Sequence, residues 1–399
     1  MTTTHLHRFL LLVLLALCGL ARGEVSYPNG DWREESIEEY RVKVVGGWVR
    51  VQRDYVFDQW QINARWNPLG FEKDLLDDSV KRITRNEAVF EKQGDAYAFG
   101  KRALIRAQPV LRLPPGSPQG SAPGDLTTSA GSTAGGGIVL DTVAGYRWSN
   151  RDGQWIDYDG EGKIVAYGDR NDIRVWLDYG LPGSPDAGRI VGVRDHFGRT
   201  VLTYAYDAGG RISQVTEADP ASGSSVPTPS FTPRRLQLTW SGALLTQATD
   251  VLGHTTTHSY TGGTPARLKT VTDPEGRVRA IDYGPTGRVS KVTAPDGGIT
   301  TYQYDYDKLK RVFYLRQDGP SVLAGTPVLE LWFDADGREI RRDLNGATQS
   351  KLLQDSANRS QTYTDARGLV TVVTLDEFDN PIRTQYPDGS DTRARYSVI

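Results

Sequence analysis

A four-residue pattern, Asp-x-x-Gly, recurs along this chain, and its pitch limits what the chain can fold into. It starts at Asp157, Asp159, Asp195, Asp207, Asp250, Asp273, Asp334, Asp343 and Asp365, often with a basic residue after the glycine. An Asp opening a turn can hydrogen-bond the backbone two residues on, and Gly supplies a positive φ without steric cost. Asn358, Asp172 and Asp379 stand where a glycine is missing, and Asn and Asp are the other residues that tolerate a left-handed backbone. Successive turn glycines lie 12 residues apart (Gly198 to Gly210), 11 apart (Gly276 to Gly287) and 10 apart (Gly287 to Gly297). Such an interval holds one short strand and one turn, so two intervals make a hairpin of about 20 residues, the size of a repeat-array unit.

Between the turns lie β-formers, with Tyr204, Tyr206, Tyr260, Tyr283, Tyr302, Tyr304, Tyr363 and Tyr386 in the strand portions. Large aromatics at such places pack across strand pairs. Almost no segment carries a helical apolar stripe, so the expected class is all-β, with stability accumulating between neighbouring hairpins. Alternation is imperfect. In residues 287–293 (GRVSKVT) both faces carry polar groups, which suits a sheet wetted on both sides better than a tight sandwich. Arg outnumbers Lys 36 to 11. Regular Arg beside Tyr predicts cation–π ladders along the strip.

Four regions follow. Residues 1–23 read as a signal peptide: His5, His7 and Arg8 precede a 12-residue apolar run, residues 9–20, and Ala21 and Gly23 are small residues at cleavage positions. That run is too short to span a bilayer, and no transmembrane segment is expected elsewhere. Removal after Gly23 leaves a chain without Cys or Met. Residues 24–106 form an aromatic β module: residues 39–44 and 48–53 alternate across a hairpin at Gly46-Gly47, and Tyr55, Phe57, Trp60 and Trp66 follow. Residues 107–137, rich in Pro, Gly, Ser and Thr, read as a linker or surface insertion, and a shorter such stretch spans 221–233. Residues 138–399 are the repeat array.

The repeats resemble the Rhs/YD-repeat family, on the tracts 204–216 (YAYDAGGRISQVT), 283–297 (YGPTGRVSKVTAPDG) and 376–382 (DEFDNPI). The resemblance covers about two-thirds of the chain. It implies a strip of β-hairpins that spirals into a hollow shell, which in full-length members encloses a C-terminal toxin domain. Other members act at cell surfaces in adhesion or carbohydrate binding. This chain departs from toxin members: it has about ten to twelve turn units, too few to close a shell, no Asp-Pro-x-Gly-Leu motif, and no effector domain before Ile399. The expected role is a non-enzymatic exported scaffold, with a partner chain or strand completing the shell. The alternative is a cell-surface or periplasmic carbohydrate-binding module.

Chemistry is sparse. Asp157, Asp159 and Glu161, with Gly162 and Ile164, copy the opening of a calcium loop, but Gly168 occupies the position that needs a bidentate Glu. No metal is expected, these three carboxylates being the weak candidate. His254 and His258, four apart on a strand, are about 13 Å apart by strand rise, too far to share zinc. There is no Gly-x-Ser-x-Gly elbow, P-loop or dinucleotide fingerprint, so no catalytic residue and no cofactor is expected. Net charge of −2 gives no reason to expect nucleic acid. Trp148, Trp155 and Trp176 are the candidates for a binding surface, with core packing the competing fate of each.

Overall fold

A computed structural model describes residues 23–86, 88–99, 103–113, 126–128, 138–219, 231–321, 325–377 and 379–396. Residues 1–22 of the expected signal peptide lie outside the described residues, as do most of 107–137 and of 221–233, and Gly23 opens the first described strand. The described chain is β throughout, apart from one 3-10 turn, Ala64–Trp66.

Seven of the nine Asp-x-x-Gly matches build one and the same turn. At Asp195 the Oδ1 accepts the N–H groups of Phe197 and Arg199, both at 3.0 Å, and Gly198 takes φ 74°. Asp159, Asp207, Asp250, Asp273, Asp334 and Asp365 repeat it. The basic residue after the glycine folds back onto the carboxylate: Arg199 meets Asp195 at 2.6 Å, Arg211 meets Asp207 at 2.8 Å and Arg277 meets Asp273 at 2.6 Å. Asp172 (φ 57°) and Asp379 (φ 59°) take the glycine's place as expected.

The other two matches are coincidental. Asp157 lies inside the strand Trp155–Asp159, and Asp343 inside Glu339–Leu344, where the real turn is Asn345-Gly346, both left-handed. Asn358 also differs from expectation. The loop from Asp355 is one residue longer, so the left-handed residue is Arg359 (φ 46°). The loop from Asp307 does the same at Arg311 (φ 55°).

The turns link strands into one long antiparallel strip. It starts at Gly70–Lys73, runs through Val80–Arg85, Ala88–Gln93, Ala96–Phe99 and Ala103–Arg112, and passes directly to Ile138–Asn150. The sheet therefore continues past residue 106: Arg112 pairs with Asp141 and Ala103 with Asn150, so the segment between 112 and 138 is an excursion from one hairpin. From Ile138–Asn150 each strand pairs with the next, as far as Asp391–Arg393. The strip is curved and not closed into a barrel. Its curvature brings the Arg151 guanidinium to 5.1 Å from the Tyr396 ring.

Two aromatic devices tie the hairpins together. Tyr179, Tyr206, Tyr260 and Tyr283, each at a strand's end, donate their hydroxyls to the carbonyls of Ile164, Ile190, Leu245 and Leu268 at the start of the preceding strand. The predicted cation–π ladder is also present: Arg189 on Tyr206, Arg267 on Tyr283 and Arg288 on Tyr304, at 5.3–5.8 Å.

A second sheet lies against this strip. Gly23–Ser26, Asp31–Val44, Gly47–Val56 and Gln59–Ile62 form a four-stranded antiparallel meander with no strand of the long sheet in it. Residues 24–106 therefore serve two sheets. Both share one apolar core: Val49, Val51 and Tyr55 from the meander meet Val193, Leu202, Val215, Leu236, Leu245, Leu268 and Val289 from the array, all fully buried.

Candidate functional site: a seam and an aromatic cleft

The seam between the two sheets concentrates the buried polar groups. The Tyr40 hydroxyl donates to the Val215 carbonyl (3.1 Å), the Leu268 N–H donates to the Tyr55 hydroxyl (2.9 Å), and Trp60 Nε1 donates to the Tyr260 hydroxyl (3.0 Å). Asn63 Nδ2 donates to the Tyr204 hydroxyl at 3.1 Å. Around Trp60 sits an ionic group. Arg53 pairs with Glu39 at 2.7 Å, stacks on Trp60 at 4.5 Å and donates Nη1 to His258 Nε2 at 3.0 Å. Burial first, then the Arg53 charge, push the His258 pKa from near 6.5 to about 3, so the ring is neutral. Nearby Glu34, 1% exposed, faces Arg279 at 3.6 Å, and burial raises its pKa. The network joins meander side chains to side chains and main-chain groups of the array, and its evident work is to fix the two sheets in register.

The sequence-derived carboxylates serve separate ends. Asp157 is fully buried and takes a bidentate Arg147 fork at 2.6 and 2.8 Å. Asp159 holds its own turn, and Glu161 pairs with Lys163 at 2.8 Å. No group of three or more His, Cys, Asp or Glu that could hold a metal is found among the described residues. His254 is exposed beside Asp250, while His258 is buried on Arg53.

Of the three tryptophans, Trp148 and Trp155 line a cleft of about 310 Å³ and Trp176 does not. Trp176 is fully buried, in a small cluster with Leu113, Leu140, Trp155 and Ala166, so it cannot present a binding surface. The cleft forms where the meander's hairpin tip, Val44 to Trp48, and the 3-10 turn meet the ends of the first array strands. The tip is tight: a Cβ on Gly46 would stand 2.7 Å from the Ile173 side chain. Trp48, Trp66 and Tyr167 complete the aromatic lining, and Arg65 and Arg85 add two guanidinium groups. Arg85 stacks on Trp148 at 4.3 Å and donates Nε to the Tyr158 hydroxyl. Arg65 lies near the rings of Trp66 (5.8 Å) and Tyr167 (5.6 Å). No local pattern marks Arg65, Arg85, Trp48 and Trp66 as one group, since four separate elements supply them and Trp148.

Among the described residues no helix is long and apolar enough to cross a membrane. The RHS repeat family model matches residues 185–222 and 267–299. Double-stranded DNA deaminase toxin A of Burkholderia cenocepacia is 26% identical over 163 residues, 40% of this chain and 10% of that protein. Among solved structures, TcdB2-TccC3 without its hypervariable C-terminal region covers 90% of this chain at 10% identity and a TM-score of 0.41, and TcdB2-TccC3 itself covers 91% at 10% identity and 0.36. In each the match takes 19% of that chain's length. The chain thus spans about a tenth of the curated relative and about a fifth of these structures.

Proposed function

We propose that this chain, which carries matches to the RHS repeat at residues 185–222 and 267–299, works as a non-enzymatic, exported scaffold, a stretch of RHS-type wall with its own inner meander. One observation carries the reading: a single open strip of repeats shares its core with a sheet from the same chain. The wall would be extended at Asp391–Arg393, which among the described residues registers only with Pro381–Gln385. A strand with one free edge accepts further strands through main-chain hydrogen bonds. Those strands would come from more of the same polypeptide or from a partner chain, and a toxin cargo is the natural content of a completed shell.

Light scattering on the purified chain tests this. Since Ala394 N–H bonds Ile382, the N–H of Arg393 faces outward. Concentration-dependent association that Arg393→Pro abolishes is the expected result. A monomer at every concentration, with no strand partner recovered from the secreting cell, would count against it. The second reading, a carbohydrate-binding module, would use the cleft at Trp148 and Trp155, the one aromatic opening in the described wall that the sequence-derived tryptophans share.

A further inference from the structure

The cleft lining carries two guanidinium groups, Arg65 and Arg85, against one carboxylate, Asp169, together with buried donors that have no partner. Neither Arg65 nor Arg85 makes an ion pair within 4 Å among the described residues, whereas Arg147 has Asp157 and Arg174 has Asp172. A half-buried cation without a counter-charge is unfavourable unless something anionic comes to it. Uncommitted hydrogen-bonding atoms gather here as well. Arg65 Nε and Nη2, Trp66 Nε1, Trp148 Nε1 and the Tyr167 hydroxyl are all buried without a partner. Four of these five can only donate. The Tyr167 hydroxyl stays protonated, because burial pushes its pKa up to about 12.

The side-chain acceptors in the same cleft are few and partly engaged. The Asp169 carboxylate takes the Asn171 N–H at 2.9 Å, and its carbonyl takes Trp155 Nε1 at 2.8 Å. Gln154 Oε1 takes Asn150 Nδ2 at 3.0 Å. A sugar presents many hydroxyls, which donate as well as accept, and meets more donors than acceptors here. A flat apolar body with one carboxylate fits better: its ring lies between indoles, and its oxygens meet guanidinium and indole N–H groups.

We propose that this cleft, between the meander's hairpin tip and the first array strands, binds a small aromatic carboxylate, with Arg65 and Arg85 as the carboxylate's partners and Trp66 and Trp148 as the walls. The site is independent of the shell reading and would stand if that reading failed.

Isothermal titration of the whole chain with 2-naphthoate, naphthalene-2-carboxamide and glucuronate tests the proposal. Saturable binding of naphthoate is expected, with the amide at least about tenfold weaker, as loss of one charge-assisted hydrogen-bonded contact implies. Arg65→Met should cost a similar factor while leaving the far-ultraviolet circular dichroism and thermal midpoint in place. If that variant does not fold, Arg65→Lys, which keeps the charge but loses the planar fork, should still weaken naphthoate several-fold, though less than tenfold. No saturable heat with naphthoate, equal binding of the amide, or tighter binding of glucuronate would each overturn the assignment.

Discussion

The same repeat is used in two environments. Between residues 155 and 293 each hairpin sets at least one side chain, such as Leu202, Val215, Leu245 or Ile281, into the core shared with the meander. Beyond Gly297 the meander reaches the strip through its first turn, where Tyr27 meets Gln317 and Phe333. Leu315, Leu331 and Phe333 make a small separate cluster, and further on Leu344, Leu353, Tyr363, Val370 and Tyr386 are exposed. Turn geometry does not change across this divide: Asp365 holds its turn with the same two Oδ1 contacts, near 2.9 Å, that Asp195 uses. Local turn chemistry therefore suffices to lay down the strip. Burial is supplied from outside the repeat, by four strands from the other end of the chain.

That contrast is most directly broken at the core. Trp60 is 8% exposed and touches Tyr55, Arg53, His258 and Tyr260. Trp60→Ala should cost about 3–5 kcal/mol, the usual range for emptying a large aromatic site. Tyr363→Ala, at 42% exposure in the distal array, should cost no more than about 0.5 kcal/mol, as other surface changes do. Urea midpoints of the two variants against the parent measure the difference. Equal losses would mean that the distal strands share the core's cooperativity.

His258 makes a pH-dependent version of the same comparison. Its pKa is depressed in the fold, to about 3, and returns to about 6.5 on unfolding, so the unfolded chain takes the proton first. The contribution is whole above about pH 6.5 and is lost as pH falls towards 3. The slope is at most about 1.4 kcal/mol per pH unit in that window. Glu34, raised by burial, runs the opposite way, so the measurement is a difference: urea midpoints at pH 7 and pH 5 for the parent and for His258→Gln. The parent should lose more on acidification. Parallel losses would show that His258 is not the group responsible.

How much could be read beforehand divides along the same line. The turns, their left-handed positions and the Arg-on-Tyr ladder are set within one or two hairpins, so residues 10 to 20 apart carry them, and the pattern displays them. Asp343 and Asn358 misled because a four-letter spacing does not show where the strand ends: one sits in a strand before an Asn-Gly turn, the other in a loop one residue longer. The meander's seat was invisible for a different reason. Tyr55 meets Leu268, 213 residues away, and no local period records such a pairing. The cleft is of the second kind, and Trp176, chosen with Trp148 and Trp155 for its type, went to the core because its strand neighbours are apolar on both faces.

The turns themselves permit a finer comparison. Asp195 is fully buried, and besides its two backbone contacts it takes the Arg199 fork at 2.8 and 2.6 Å. Asp195→Ala strips a buried, charge-assisted set and should cost about 2–3 kcal/mol. Asp365→Ala removes the same backbone contacts in water, where solvent replaces them, and should cost less than half as much. A ratio near one in thermal or urea unfolding would imply that the turn's own geometry, not its burial, sets the penalty.

Glycine gives the cleanest effect, because packing can be removed from it altogether. Gly276 has φ 79° with nothing within 4 Å of where a Cβ would stand. Gly210 has nearly the same φ, 74°, but a Cβ there would stand 2.2 Å from the Arg189 guanidinium, which is stacked on Tyr206. Gly276→Ala should therefore cost about 1–2 kcal/mol, the backbone penalty alone. Gly276→Asn should cost less, since Asn tolerates this conformation. Gly210→Ala should exceed Gly276→Ala, because it also displaces one rung of the cation–π ladder. If the two alanine variants unfold alike in urea, the arginine moves aside freely and the ladder adds nothing to the array beyond its hydrogen bonds.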